Sequence, residues 1–329
     1  MRALLVPSGP VERALLVVAT VFTVVGALHV LPLVATGGGW YGAVSWRKPI
    51  VFGVSIGVVT WWLAWVLGTL PWRRGVKVAW VAAYTAAMVV EYTVLTAQQW
   101  RGVASHFNGE TAFDGVMFSV MGGAIATVSL LIVALTVGAL RHPQRDRALR
   151  WSVLGGLVVM LGGLALGGVV VALGNAQAID GTAPDTVRAG AAGVPKYAHA
   201  VALHVPQVLA GLLALAGGAR LAPAARLRLL RRGVLGGAAL VLATSVHTLY
   251  GRALTDLANP TGLALLAAGA ACAWPFASAM MAAWRHDRTS TAPMEPVGPP
   301  DLPDLPDPLD PRGPAGPARR RQPKATMPR

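Results

Sequence analysis

Histidine and glutamate side chains occur in otherwise apolar stretches of this sequence, and both residue types can bind metals or transfer protons. Glu91 lies in one such stretch, and His199 and His204 lie in another. His29 and His247 have similarly apolar neighbours. Because ionisable groups are costly in an apolar environment, those that are present often mark function. These five residues are therefore the first candidates for chemistry.

The stretch around His199 predicts a polar stripe on a helix. With His199 at zero and about 100° per residue, Lys196 lies at roughly 60°, Gln207 at roughly 80° and His204 at roughly 140°. Two imidazoles on one stripe favour ligand binding or proton transfer. Their five-residue spacing differs from the four-residue spacing of the zinc-binding H-E-x-x-H motif.

A second polar stripe is predicted around Glu91. Tyr84, Glu91 and Gln98 recur at steps of seven residues, so on a helix they share one face. A carboxylate at membrane depth must pair with a cation or carry a proton, which favours proton transfer or cation binding at Glu91. We expect the stripes of Glu91 and His199 to face a common interior.

Three kinds of role follow from these residue types. Glu91 and His106 are the candidate catalytic residues. A b-type haem needs only one or two histidines, and the candidate ligands of haem b or of a divalent metal are His29, His199, His204 and His247. The candidate binding residues are Gln98, Arg101, Asn108, Asp114, Lys196 and Gln207.

Each assignment has a structural alternative. A single histidine in a membrane helix often forms only an interhelical hydrogen bond. Thr111 followed by Asp114 matches a helix capping box, so a cap is the expected role of Asp114. Basic and aromatic residues near membrane surfaces often contact lipid headgroups or form an interfacial belt. This alternative applies to Arg47, Lys48, Arg101, Trp40, Trp46 and Trp100.

Several well-known chemistries find no support in the sequence. It contains no G-x-S-x-G elbow, no phosphate-binding P-loop, no EF-hand and no C-x-x-C-H haem attachment motif. Cys272 is the only cysteine, so an intramolecular disulfide and a C-x-x-C metal site are excluded.

The elements that must position these residues are membrane-spanning helices. The sequence is 54% hydrophobic and 13% charged, whereas soluble domains carry roughly 25% charged residues. Its apolar runs are long enough to cross a bilayer as helices. We predict an all-α polytopic bundle within residues 1–288, with helices at about 14–34, 49–70, 78–97, 112–140, 151–174, 198–217, 233–250 and 262–283.

Basic residues alternate between the two ends of these helices. With the N-terminus inside, the cytoplasmic joints carry 16 Lys and Arg residues and the external joints six. The positive-inside rule therefore predicts a bacterial cytoplasmic (inner) membrane protein with both termini in the cytoplasm. This distribution explains the net charge of +14 without nucleic acid as a partner. The same orientation places the candidate residues toward the outer side.

Two further segments have distinctive compositions. Gly163 and Gly167 form a GxxxG motif in the fifth predicted helix, which favours close approach of a neighbouring helix. Residues 289–329 are rich in Pro, Asp and Arg, which predicts a disordered cytoplasmic tail.

Three segments resemble the recurring segments of a family of bacterial multi-pass membrane proteins with no assigned activity. They cover residues 46–55, residues 91–114 and residues 199–207. The most specific is Ser-His-Phe-Asn at 105–108, and the third segment has the pattern His-x4-His-x2-Gln at 199–207. From the first segment to the last the resemblance spans roughly half the chain, and it supports a site without implying its chemistry.

Three functional hypotheses remain open. The first is an outward-facing polar pocket that binds haem or a metal, or handles protons beside a membrane redox partner or quinone. The second is a small-solute or ion transporter in which Glu91 is the proton-coupled carboxylate. The third is a sensory or accessory subunit without catalysis. In all three the lipid bilayer is the surrounding partner.

Overall fold

Helices account for nearly all regular structure in the part of the chain that the structure describes. A computed structural model describes residues 9–290, with side chains described as far as Trp284. Among these residues only isolated bridges, and no strands, accompany the helices. The helices are α1 (Pro10–Leu28), α2 (Val30–Thr36), α3 (Arg47–Thr69), α4 (Arg74–Trp100), α5 (Ala112–Arg141), α6 (Arg147–Gln177), α7 (Lys196–Gly218), α8 (Pro223–Leu249) and α9 (Pro260–Ser290).

Eight segments are long and apolar enough to cross a membrane, and the predicted all-α polytopic bundle is confirmed. The first of them, Pro10–Thr36, combines α1 and α2. It is interrupted at His29, three residues before Pro32, because proline cannot donate the backbone hydrogen bond that would continue the helix. The orientation of the bundle stays a prediction. Residues 291–329, which make up nearly all of the predicted tail, lie outside the described residues.

Glycines set two close helix contacts in the bundle. Gly26 of α1 faces Gly53 of α3, and a Cβ atom on Gly26 would lie 2.8 Å from the Cα of Gly53. Gly163 of α6 faces α7, where its Cβ would lie 2.9 Å from that of Ala202. The predicted packing role of the GxxxG glycines is thus confirmed.

Helix α3 occupies the position between the two predicted polar stripes. It packs against α1, α4 and α7, whereas α4 and α7 have at most a marginal contact with each other. On one side the Thr60 hydroxyl hydrogen bonds with the Tyr84 hydroxyl of α4, at 2.7 Å. On the other side Ser55 contacts α7. We expected the polar stripes of α4 and α7 to face a common interior. This expectation was wrong in detail, because α3 lies between the two helices.

Candidate functional site

The segment between α4 and α5 is held in an irregular conformation by Asn108. This side chain is 2% exposed. Its Nδ2 donates to the carbonyl oxygen of Ala104 at 3.0 Å, and its Oδ1 accepts from the amide of Glu110 at 3.1 Å. Phe107 has φ of +60°, a left-handed conformation that is strained for a bulky residue. The loop thereby presents the preceding residue, His106, to the bundle.

His106 sits between aromatic side chains of two helices. Its ring centre lies 5.8 Å from that of Phe52 on α3 and 6.1 Å from that of Phe118 on α5. Its Nδ1 is 2.9 Å from the hydroxyl oxygen of Ser105, which is itself buried. Its Nε2 points toward Glu91. The two ring nitrogens therefore have different neighbours.

Glu91 is the least satisfied ionisable group of this site. The residue is 3% exposed. Its Oε1 lies 3.9 Å from Nε2 of His106, which is beyond hydrogen-bond distance. Its Oε2 is buried and has no hydrogen-bond partner among the described residues. Two predicted catalytic residues are thus brought together, and one carboxylate oxygen is left open to a proton, water or ligand.

Burial keeps the imidazole of His106 neutral. Burial and, to a smaller extent, the nearby positive charge of Lys48 together lower the pKa of His106 from 6.5 to about 3. A neutral imidazole carries one proton, so one nitrogen donates while the other accepts. His106 is therefore not a fixed counter-ion of Glu91 at neutral pH.

An open recess lies beside the loop of His106. Its volume is about 310 Å³. Phe118 contacts both His106 and Phe107, so the aromatic pair stands between the imidazole and the recess. The lining residues are Phe107, Asn108, Gly109, Gly115, Phe118, Asn175, Ala178 and Gly181.

Gln98, Arg101 and Asp114 form a separate structural network at the start of α5. Thr111 is the N-cap, and its hydroxyl oxygen accepts from the amide of Asp114 at 3.1 Å. The Asp114 Oδ1 accepts from Gln98 Nε2 at 2.8 Å and from Arg101 at 2.7 Å. Thr111 is thus the cap that the Thr111–Asp114 spacing predicted, whereas the Asp114 carboxylate accepts from the Thr111 hydroxyl and not from its backbone amide. The polar groups of these three predicted binding residues are thus hydrogen-bonded to one another.

His29 is engaged on both ring nitrogens. Its Nδ1 donates to the carbonyl oxygen of Val25 at 2.8 Å, and its Nε2 accepts from the indole of Trp100 at 3.4 Å. Tyr92 and Trp46 pack against the same ring. Both nitrogens thus have partners in the described residues, which does not favour a ligand role; the assignment of His29 as a ligand stays a prediction. The ring instead holds α1 against α4.

His247 has the same kind of environment in α8. The residue is completely buried, with Nδ1 2.8 Å from the Thr261 hydroxyl and Nε2 2.7 Å from the Ala253 carbonyl oxygen. Both nitrogens are used to hold the connection between α8 and α9. The ligand assignment of His247 likewise stays a prediction, and in the described residues its side chain acts as an interhelical hydrogen bonder.

His199 and His204 remain as candidate ligands on α7. His199 Nδ1 donates to the Gly163 carbonyl oxygen at 2.7 Å, which leaves Nε2 with its lone pair and no partner among the described residues. His204 Nε2 is 2.8 Å from the hydroxyl of Ser55. Gln207 turns back on its own helix, and its amide nitrogen, suitably oriented, reaches the carbonyl oxygen of His204 at 2.9 Å.

Sequence reasoning missed two of these hydroxyl partners, Ser55 and Ser105. Ser55 lies in an apolar run, where serine is a weak signal because membrane helices often contain it as a packing residue. Ser105 lies in the Ser-His-Phe-Asn segment, in which only His106 and Asn108 were taken as candidates. Among the described residues no group of three His, Cys, Asp or Glu side chains is arranged to hold a metal ion. The strongest local chemistry is therefore the pair of Glu91 and His106.

Comparison of the chain with family models, with curated proteins and with solved structures gives no match. The resemblance of its three segments to a bacterial membrane protein family therefore stays a prediction.

Proposed function

We propose that this membrane protein takes up and passes on protons through Glu91, His106 and Ser105, at its predicted outer side. The observation that carries the proposal is the buried carboxylate of Glu91. One oxygen has no partner, and the other faces a neutral imidazole at 3.9 Å. A carboxylate in this setting is far better accommodated with a proton than without one.

The imidazole gives this proton a route. Nε2 of His106 faces Glu91 and Nδ1 contacts Ser105 at 2.9 Å, so a proton accepted at one nitrogen can be released from the other. The gap of 3.9 Å is about 1 Å longer than a hydrogen bond, and a small side-chain movement or one bridging water closes it. The adjacent recess is separated from the imidazole only by Phe107 and Phe118.

Such a relay serves either a proton-coupled transporter or a membrane redox protein that works with a cofactor or quinone. The unpartnered Nε2 of His199 is the nitrogen best suited to a bound cofactor. A visible absorbance spectrum of the purified protein tests for a bound haem. Haem absorbance that is lost in His199→Ala supports redox chemistry with that cofactor, whereas a preparation without visible absorbance contradicts a bound haem.

The protonation of Glu91 can be measured directly by infrared difference spectroscopy. We expect the wild-type protein to show a pH-dependent C=O stretching band of a buried, protonated carboxyl group. Glu91→Gln should abolish that band, because the substitution keeps the shape of the side chain and removes the titrating proton. His106→Gln should keep the band and change its pH dependence.

Glu12→Gln is the matched control for Glu91→Gln. Glu12 is also buried, but its Oε1 accepts from the ammonium group of Lys77 at 2.6 Å. We expect this variant to retain the carboxyl band of the wild type. If Glu91→Gln and the wild type gave the same band, Glu91 would not hold the proton and the proposal would fail.

A further inference from the structure

Three cationic side chains gather where α3 and α7 begin. Arg47 and Lys48 lie in the first turn of α3, and Lys196 is the first residue of α7. All three are half-buried. Ser55 of α3 lies 2.8 Å from His204 of α7, and each residue is eight positions after the first residue of its helix, so the first turns of the two helices lie side by side. The positive charges of Arg47, Lys48 and Lys196 therefore repel one another. We call these residues the cation triad.

The triad is not neutralised by any carboxylate within the described part of the chain. Arg47 Nε donates to the carbonyl oxygen of Trp40 at 3.0 Å, and Lys48 Nζ to that of Ala43 at 2.5 Å. The nearby Asp185 carboxylate accepts from the amide of Ala43 at 3.3 Å and forms no ion pair with the triad. Neutral carbonyl groups thus satisfy donors without cancelling charge.

Both helices also direct their positive ends toward the triad. The N-terminus of a helix carries a partial positive charge, so cations there are unfavourable and anions are stabilised. Neither N-cap residue, Trp46 or Pro195, forms a side-chain cap. Ser45, two residues before Arg47, is 2% exposed, and its hydroxyl has no hydrogen-bond partner among the described residues. An anion at these two helix N-termini would be stabilised by their partial positive charges as well as by the triad.

The positive-inside rule does not explain the positions of the triad residues. In the predicted orientation it contains three of the six external basic residues, on the side where the positive-inside rule disfavours them. Basic residues on the outer side therefore call for an explanation other than topology.

We propose that the cation triad binds an anion with phosphate or carboxylate oxygens. The guanidinium group of Arg47 can donate two parallel hydrogen bonds, and the ammonium groups of the two lysines add compact positive charges. This combination is suited to phosphate. A lipid headgroup and a small free anion share this chemistry. The proposal is independent of the Glu91 relay, since it concerns binding at the surface rather than proton transfer.

Thermal unfolding of the purified protein tests this site. The protein in neutral detergent is heated with inorganic phosphate or with chloride at equal ionic strength. In parallel, nanodiscs containing phosphatidylglycerol are compared with nanodiscs of phosphatidylcholine alone. We expect the anion to raise Tm of the wild type. Lys196→Gln and Arg47→Gln should each weaken anion binding by about tenfold.

Two variants control for folding and for general salt effects. Arg188→Gln removes an exposed basic residue on the same side of the bundle and should respond like the wild type. Lys196→Arg keeps the charge and should keep the response. A response to phosphate identifies a free anion, and a response only to phosphatidylglycerol identifies a headgroup; either supports the site. An equal response of Lys196→Gln, Arg47→Gln and Arg188→Gln would overturn it.

Discussion

His106 owes its chemical character to its neighbours rather than to its own residue type. Phe52 and Phe118 flank its ring and remove water, while Lys48 adds a nearby positive charge. Both effects disfavour the imidazolium form. The ring can therefore carry a proton between Glu91 and Ser105 without remaining charged.

This environment makes acid stability depend on His106. Its folded pKa of about 3 lies below the unfolded value of 6.5, so between these values the unfolded state binds more protons. Stability therefore falls as pH drops below about 6.5, by up to roughly 1.4 kcal/mol per pH unit for one group. We expect His106→Gln to show a smaller loss of Tm between pH 7 and pH 4 than the wild type.

His142→Gln supplies the comparison for that acid titration. His142 is exposed and follows α5 at the opposite end of the bundle. Its replacement should leave the dependence of Tm on pH as in the wild type. Parallel curves for His106→Gln and the wild type would show that His106 does not contribute to acid instability.

At this scale the sequence predicted which residue types could do chemistry but not which of their atoms are free. His29, His199 and His247 all lie in apolar runs and look alike in sequence. Only the fold shows that His29 and His247 use both nitrogens, whereas His199 uses one. Hydrogen-bond partners come from distant helices, so spacing along the chain cannot supply them.

At the scale of elements, glycine residues on α6 allow α7 to pack closely against it. Gly163 lies against Ala202, and a Cβ on Gly167 would be 3.0 Å from the imidazole of His199. The GxxxG spacing predicted a close approach, although it could not identify α7 as the partner. The same limitation applied to α4 and α7, whose polar faces were predicted and whose separation by α3 was not.

Gly163→Ala should destabilise the bundle by about 1–3 kcal/mol, because the added methyl group overpacks the contact with α7. The change would be seen as a lower Tm. Gly162→Ala is the matched control, because a Cβ atom at Gly162 would have no neighbouring atom within 4 Å. In a helix that substitution is neutral or stabilising by up to about 1 kcal/mol. Equal Tm values for the two variants would contradict a tight α6–α7 contact.

At the scale of the whole molecule, the two ends of the bundle differ in how their charges are satisfied. At the predicted inner end, Lys77 pairs with Glu12 at 2.6 Å and Arg226 with Asp146 at 2.8 Å. At the other end Arg101 pairs with Asp114 at 2.7 Å and Arg252 with Asp256 at 3.1 Å, whereas the cation triad has no carboxylate partner in the described residues and Glu91 is incompletely paired. The proposed proton relay and the proposed anion site both lie at this end.

The orientation of the bundle decides which side of the membrane that end faces. We expect Thr182→Cys, in the segment between α6 and α7, to react with a membrane-impermeant maleimide in intact spheroplasts. Arg145→Cys, in the segment between α5 and α6, should react only after permeabilisation. Both positions are exposed, and both variants are made in a Cys272→Ala background. The reverse pattern would place the Glu91 relay and the cation triad on the cytoplasmic side, and protons and anions would then reach them from the cell interior.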